Sequence, residues 1–435
     1  MGPLLRCAAV DLFEDLQWRG LAYQWTGEDA LPARLRAGPA TVYCGFDPSA
    51  DSLHVGSLVP LTMLRRFQRA GHTPIAVAGG ATGMIGDPSG KSEERNLLTR
   101  EQVDANVAAI RPQIARFLDM DRGPNQGLLV NNADWLERWS YVDFLRDIGK
   151  HFSMNVLLAR ESVKARLESE AGISYTEFSY SLLQAYDFLH LFDDHDCELQ
   201  IGGSDQFGNI VAGVDLARRM RGAELFGLTM PLITDSNGQK FGKTVAGTAA
   251  WLSSERTSPY AFYQFFVTTD DADVGRYLRV FTELAHDEIL ELEEAASSRP
   301  ERREAQRRLA QEMTALVHGP EGLARAERAT QALFGGEVKG LEEQDLLEIF
   351  AEVPSVELPR SRLDGELDAV DAFVTAGLAK SKSEAARLVS SGGAYVNGRR
   401  LDGADRALTT EDLATETIMV LRAGKRSYAL LRFPR

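Results

Sequence analysis

The sequence predicts an α/β protein built in three parts. A parallel-sheet domain over residues 1–257 precedes an α-helical domain over 258–351. A linker at 352–366 then leads to a small α+β domain over 367–435. Three observations carry this. Short apolar, β-rich runs that end in Gly or Asn alternate with helical stretches through the first part. From about Ser258 the pattern turns helical and charge-rich. Pro354 and Pro359 then interrupt a stretch with no periodicity, which is the best place for a linker. A chain of 435 residues is long enough for two or three domains of roughly 150 residues each.

The elements run in order along the chain. TVYCGF (41–46) is a first strand, and LVPLTMLRRFQRAG (58–71) is a helix that stops at Gly71. TPIAVAGG (73–80) is a second buried strand running into glycines. REQVDANVAAIRPQIARFLD (100–119) and SYSLLQAYDFLHLF (179–192) are helices. GLLVNNADW (127–135) and ELQIGGSDQ (198–206) repeat the apolar run followed by Gly or Asn. Strand, crossover helix and strand make a parallel sheet with helices on both faces, and such sheets bind ligands beyond the carboxyl ends of their strands. In the second part ERREAQRRLAQEMTALVHG (301–319) is helical. The tail reads as helices near 367–377 and 382–391, then GGAYVNGRRLD (392–402) and a strand-like IMVLRAGKRSYALLRF (418–433).

Composition removes several classes. Hydrophobic residues make up 44% and charged residues 26%, an ordinary globular balance. No run approaches the ~18 uninterrupted apolar residues of a membrane span. Asp11, Glu14 and Asp15 argue against a leader peptide, and Arg6 does not fit a myristoylation signal. Cys7, Cys44 and Cys197 form neither a metal spacing nor a disulfide framework, so a reducing, cytoplasmic setting without a tightly held protein-ligated metal is expected. The net charge of −15 is uneven. From Glu366 to Arg435 there are 11 Lys+Arg against 9 Asp+Glu, a net +2, while the preceding part holds 37 against 54, a net −17. An acidic body with a mildly basic tail is compatible with RNA held locally by a few placed cations.

Five segments carry chemistry. In YCGFDPSADSLHVGSL (43–58) Pro48 blocks helix and Ser52 is a candidate N-cap for the next helical turn. His54 and Gly56 then sit at a helix start, where free N–H groups and the dipole favour phosphate. In KFGKT (240–244), after DSNGQ, two lysines three apart form a cationic clamp suited to a polyphosphate whose charge moves during transfer. GGATGMIGDPSGKSEER (79–95) is not a Walker A loop, because Ile85 stands where that motif needs its first glycine. It places Asp87 on a glycine-lined turn, where a carboxylate can hold an ammonium. Tyr180, Gln184 and Asp187 are spaced i, i+4, i+7 and share a helical face. In GGSDQFGN (202–209) the glycines permit close ligand approach, and Asp205 suits ribose hydroxyls. Each segment alone also fits a bland reading, as a capped turn or a solvated face.

Together, His54-Val55-Gly56-Ser57 and Lys240-Phe241-Gly242-Lys243-Thr244 resemble the paired HIGH and KMSKS signatures of class I aminoacyl-tRNA synthetases. YCGFDPSADSLHVG, GGATGMIGDPSGK, EFSYSLLQAYDF, QIGGSDQFGNI and KFGKT narrow this to the bacterial-type tyrosyl-tRNA synthetase family, strongly from about Leu21 to Trp251. The resemblance implies a Rossmann-like catalytic domain, a helical anticodon-binding domain and an S4-like RNA-binding tail. It implies L-tyrosine, ATP with Mg2+, and tRNA(Tyr) as substrates, and a homodimer away from any membrane. Carried over by residue, Tyr43 and Asp187 would bond the substrate phenol. Tyr180, Asp87 and Gln184 would hold its ammonium, with Gln206 near its carboxylate. Cys44, Gly203 and Asp205 would contact the ribose, and Gly45, Asp47 and Gly56 would complete the ATP site. Ser49, His54, Lys240, Lys243 and Thr244 would grip the leaving pyrophosphate, joined by Lys91 and Arg95 from a second loop. In the tail, Lys380, Lys382, Arg387, Arg399 and Arg400 would face RNA phosphates.

One position departs from the family. Ser57 stands where an imidazole or amide is more usual, with a shorter arm, and activity is expected to survive it. A tryptophanyl relative and an RNA-binding protein without catalysis are the rival readings. The polar Tyr43 and Asp187 pair opposes the first. His54, Asp205, Lys240 and Lys243 oppose the second.

Overall fold

The structure is a computed structural model. It describes residues 11–89, 98–167, 172–236, 238–239, 241–242, 249–333, 336, 338, 340–351, 353–424 and 427–435, with 161, 162, 165 and 333 described by backbone alone. Lys91, Arg95, Lys240, Lys243 and Thr244 therefore lie outside the described residues. The chain forms two compact units. One holds Met1–Arg256 with Val267–Val317, the other Thr257–Phe266 with His318–Arg435. The helical stretch 258–351 thus divides between them. Two helical runs meet where that division falls, at Gly319 (φ +75°) and Pro320.

The first unit is built on a six-stranded sheet. Its strands are β1 (Gln24–Trp25), β2 (Thr41–Phe46), β3 (Thr73–Ala78), β4 (Leu128–Asn131), β5 (Cys197–Gly203) and β6 (Phe226–Met230), in the spatial order β1-β6-β5-β2-β3-β4. All pairs are parallel except the β1 edge, which runs antiparallel to β6. β2 lies between β3 and β5, so the connections diverge on either side of it and leave a crevice at the carboxyl ends. The principal helices here are α1 (Leu12–Trp18), α2 (Leu58–Arg69), α3 (Tyr175–His195), α4 (Phe207–Arg221) and α5 (Asp271–Phe281). α3 starts where Ser174 accepts a hydrogen bond from Glu177 N–H, and it ends at Asp196 in the left-handed region (φ 49°). Phe188, Leu189 and Leu191 of α3 pack with Tyr43, Ile75, Cys197 and Leu216 in the core. Among the described residues no helix is long and apolar enough to cross a membrane.

The second unit carries a five-stranded sheet. Its strands are β7 (Ser355–Glu357), β8 (Ala394–Val396), β9 (Arg399–Arg400), β10 (Ile418–Ala423) and β11 (Ser427–Arg432), in the order β7-β11-β10-β8-β9. Two expectations change here. The stretch 418–433, read as one strand, is a hairpin that turns at Gly424 (φ +63°). The stretch 352–366, read as a linker, contributes β7, which pairs in parallel with β11 along the sheet edge. Pro354 and Pro359 bracket β7 at that edge, where a missing N–H costs no ladder bond.

The run Ile418-Met419-Val420-Leu421 is apolar on both strand faces, and both are buried. Met419 and Leu421 join Phe373, Ala385 and Val389 in one cluster. Ile418 and Val420 join Tyr260, Ala329, Leu346 and Phe350 in another.

Candidate active site

A cavity of about 190 Å3 opens at the carboxyl ends of the first sheet. Strand β2 delivers Tyr43, Cys44 and Gly45 to its wall, and the turn after it delivers Asp47. One face of α3 delivers Tyr180, Gln184 and Asp187, as their spacing predicts. Asp87, Gly203 and Gln206 complete the predicted residues that line it. Three carboxylates and no Lys, Arg or His stand among the lining residues, so the cavity suits a cationic group.

At one end stand Tyr43 and Asp187. The Tyr43 hydroxyl is buried and finds no hydrogen-bond partner among the described residues. Asp187 is buried too, and its two oxygens accept from Trp135 Nε1 at 2.7 Å and Asn132 Nδ2 at 3.0 Å. Burial pushes its carboxyl up to about 7, against the downward pull of Asn132 and Trp135. Burial, and then the neighbouring Asp187, hold the Tyr43 phenol well above its ordinary range. An ionised carboxylate has room for more than two donors, so Asp187 keeps acceptor capacity toward the cavity.

Sequence reading missed Asn132 and Trp135. The only local signal was NNADW after an apolar run. Asn132 also donates to Thr82 Oγ1 at 3.0 Å, and its own oxygen accepts from Ala81 N–H at 2.9 Å, which fixes its orientation.

A second polar cluster surrounds Asp47 and Asp87. Asp47 was assigned to ATP, yet within this cavity its oxygens accept from the Tyr180 hydroxyl and Thr82 Oγ1, each at 3.2 Å. Gly79 makes this approach possible, because a Cβ there would stand 2.5 Å from Asp47 Oδ1. Asp87 accepts from Ser89 N–H at 2.9 Å and from Gln206 Nε2 at 2.5 Å. Gln184 Oε1 is buried without a partner among the described residues. Burial first, and then Asp47 and Asp87, push the Tyr180 phenol up.

His54, Ser49, Gly56 and Asp205 do not line this cavity. His54, not Ser52, caps the turn that precedes α2, and its Nδ1 accepts from Gly56 N–H at 2.9 Å. The reason is that Ser52 is buried, bonded to the Leu53 carbonyl at 2.8 Å and to Ser253 N–H at 3.1 Å. With Nδ1 accepting, the neutral imidazole of exposed His54 carries its proton on Nε2 and can donate it to an anion. Ser57 makes no capping hydrogen bond at the start of α2.

Beside His54 the chain runs as a short ladder. Val55 N–H donates to the Ala250 carbonyl at 2.9 Å, and Ala250 N–H donates to the Gly242 carbonyl at 3.1 Å. Gly242 (φ +119°), the middle residue of KFGKT, lies against this turn, since a Cβ there would stand 3.3 Å from Val55 Cγ2 and 4.0 Å from Gly56 N. Exposed Asp205 lies beside Gly203, where a Cβ would stand 2.5 Å from Asp205 Oδ1. The Cys44 sulfur faces the Gly45 carbonyl at 3.7 Å, and burial pushes its thiol up to about 12, keeping it a neutral donor.

No group of three or more His, Cys, Asp or Glu that could hold a metal occurs among the described residues. In the second unit Lys380, Lys382, Arg387, Arg399 and Arg400 are all exposed, and Lys382 pairs with Asp371.

Known proteins bear directly on this arrangement. Residues 35–335 match the family model described as tRNA synthetases class I (W and Y). Residues 345–431 match the model described as Tyrosine--tRNA ligase SYY-like C-terminal domain. A tyrosine–tRNA ligase of Rhodopirellula baltica is 55% identical over 426 residues, covering 98% of this chain and 97% of that one. One from Geobacillus stearothermophilus is 49% identical over 425 residues, covering 98% of this chain and 100% of its own. The C-terminally truncated mitochondrial tyrosyl-tRNA synthetase of Aspergillus nidulans superposes with a TM-score of 0.67 at 32% identity, covering 75% of this chain and 94% of that chain. Catalytic part and tail thus agree, and the chain belongs to the class I aminoacyl-tRNA synthetases as a bacterial-type tyrosine–tRNA ligase.

Proposed function

We propose that the cavity holds L-tyrosine with its phenol between Tyr43 and Asp187 and its ammonium among Tyr180, Asp87 and Gln184. The chain's reaction is that of its family: it activates tyrosine with ATP and transfers it to tRNA(Tyr). The observation that supports this pose is the buried Tyr43 hydroxyl, without a partner among the described residues, in one cavity with Asp187. A ligand phenol would donate to Asp187 and accept from Tyr43, satisfying both.

The tyrosine carboxylate then attacks the α-phosphate in line, and pyrophosphate departs. The nucleophile is already ionised, so no strong base is needed. Rate enhancement comes from positioning and from cations that grip the transition state. Magnesium arrives with ATP. His54, Lys240, Lys243 and Thr244, with Lys91 and Arg95, bind the departing pyrophosphate. Asp205, Gly203 and Cys44 bind the ribose. The tRNA 3′-terminal hydroxyl next attacks the adenylate carbonyl, and AMP leaves. The exposed cations of the tail, from Lys380 to Arg400, contact RNA phosphates, and the helices of 258–351 contact the anticodon.

The protein works as a cytoplasmic homodimer. Tyr141, Val142, Met154, Val156 and Tyr175 are large apolar side chains exposed on the crossover between β4 and β5, and the Tyr141 and Tyr175 hydroxyls lie 3.2 Å apart. Large apolar side chains exposed along one connection are what an interface would cover. Pyrophosphate exchange tests the central reading. Exchange driven by tyrosine, and neither by tryptophan nor phenylalanine, is expected. Tryptophan-driven exchange would reassign the pocket, and absence of exchange would leave only RNA binding.

A further inference from the structure

The segment that carries Lys240 and Lys243 is anchored by one face of α5. Ser236 N–H donates to Asp273 Oδ2 at 2.9 Å, and Asp273 is 4% exposed. The Thr234 carbonyl accepts from the Tyr277 hydroxyl at 3.3 Å and also from Arg276. Phe241, the residue between Lys240 and Gly242, packs on Tyr277 and Phe281, with ring centroids 4.9 Å from each. Asp273, Tyr277 and Phe281 are spaced i, i+4, i+8, so a single helical stripe makes all three contacts.

The far end of α5 is fixed as firmly. Arg66 of α2 donates to the Val280 carbonyl at 3.0 Å. Arg19, at the end of α1, donates to the Thr282 carbonyl at 3.1 Å and the Leu284 carbonyl at 2.8 Å. Both guanidiniums are buried. They occupy backbone acceptors that a helix end leaves open and that favour positive charge. Arg66 belongs to the helix that opens at the His54 turn. α5 therefore touches the KFGKT segment through Phe241 and, at its other end, the helix that follows the His54 turn.

We propose that α5 positions the catalytic cations. Asp273, Tyr277 and Phe281 fix Ser236 and Phe241, the described residues on either side of Lys240, and so position the segment whose lysines bind the pyrophosphate. None of the three touches substrate; they are positioning residues. The proposal rests on the reading that the two lysines bind pyrophosphate. Electrostatic stabilisation depends on cations held in place before the charge develops, and a misplacement of about 1 Å costs roughly 100-fold.

The test uses the full-length protein and the single-turnover rate of tyrosyl-adenylate formation. Asp273→Ala should slow that step by roughly 10- to 100-fold. Tyrosine affinity, and transfer of tyrosine from preformed adenylate to tRNA, should stay at the parent values. Asp273→Asn keeps an oxygen for Ser236 N–H and should recover most of the rate. Tyr277→Phe removes one hydroxyl from a packed ring, leaves the fold intact, and should slow the same step by roughly 2- to 10-fold.

A parent rate in Asp273→Ala overturns the proposal. So does a variant in which tyrosine affinity and transfer fall in step with activation, because that is general damage. If Asp273→Ala does not fold, Tyr277→Phe decides, and a parent rate there overturns it. Lys243→Ala separates the two layers. A parent rate in that variant removes the role of the lysines and the proposal with it. A slow Lys243→Ala beside parent-like α5 variants overturns the proposal alone.

Discussion

Replacing Tyr43 by Phe removes one oxygen from a site where nothing among the described residues pairs with it. In the free protein the change should not lower the thermal midpoint, because an unsatisfied buried hydroxyl costs about 1–3 kcal/mol rather than stabilising. With tyrosine bound, the hydroxyl gives one neutral hydrogen bond to the phenol, worth about 0.5–1.5 kcal/mol, so kcat/KM for tyrosine should fall roughly 2- to 10-fold. With phenylalanine bound, the Tyr43 hydroxyl is as unpaired as in the free protein, so the change relieves both states alike and kcat/KM for phenylalanine should hold. The tyrosine-to-phenylalanine ratio should therefore narrow by roughly 2- to 10-fold, through the loss with tyrosine. Asp187 stays in place in the variant, so discrimination is weakened rather than abolished. Pyrophosphate exchange with both amino acids measures the ratio. A ratio within twofold of the parent would refute the placement of the phenol against Tyr43.

Five further outcomes come from the same structure. Asp187 must be ionised to accept the phenol, and its carboxyl titrates at about 7, so kcat/KM for tyrosine should rise with pH through about 7 and level off above it. Trp135→Phe removes a donor that pulls the value down and should move the midpoint higher. The same raised value makes stability fall as pH climbs from about 4 to about 7. The folded chain keeps a proton there that the unfolded chain has released, and pH-dependent chemical denaturation of the two forms should show it. Gly203→Ala places a Cβ 2.5 Å from Asp205 Oδ1 and 3.3 Å from Leu232 Cδ2, so KM for ATP should rise several-fold while KM for tyrosine holds. Arg399→Ala combined with Arg400→Ala should weaken tRNA binding and flatten its salt dependence, with adenylate formation unchanged, as filter binding across salt concentrations would measure.

Much of this site was legible in the sequence because its residues sit at strand ends or repeat along one helix. Tyr43 comes from an apolar run that ends in Gly-Phe-Asp-Pro, and Tyr180, Gln184 and Asp187 come from helical spacing. Asn132 and Trp135 were not legible. They meet Asp187 from 55 and 52 positions away, and only the folded sheet brings β4's end beside α3. The role of α5 was hidden for the same reason, since Asp273 and Ser236 are 37 apart. The hairpin of β10 and β11 was missed because apolar strands on both sides of Gly424 read as one run. Strand β7 was missed because three residues between prolines carry too little period to register.

The two-sided burial of the small sheet bears on how this chain can be cut. A fragment beginning at residue 367 would keep Phe373 and its neighbours yet lose the partner of β11's outer edge. It would also bare Ile418, Val420 and Leu430 to water, since Tyr260, Leu346 and Phe350 cover them. Such a piece should precipitate or self-associate on expression. Keeping that cover takes both stretches of the second unit, Thr257–Phe266 with Tyr260 and His318–Arg435 with Leu346 and Phe350, so no cut within 352–366 leaves the small sheet lined.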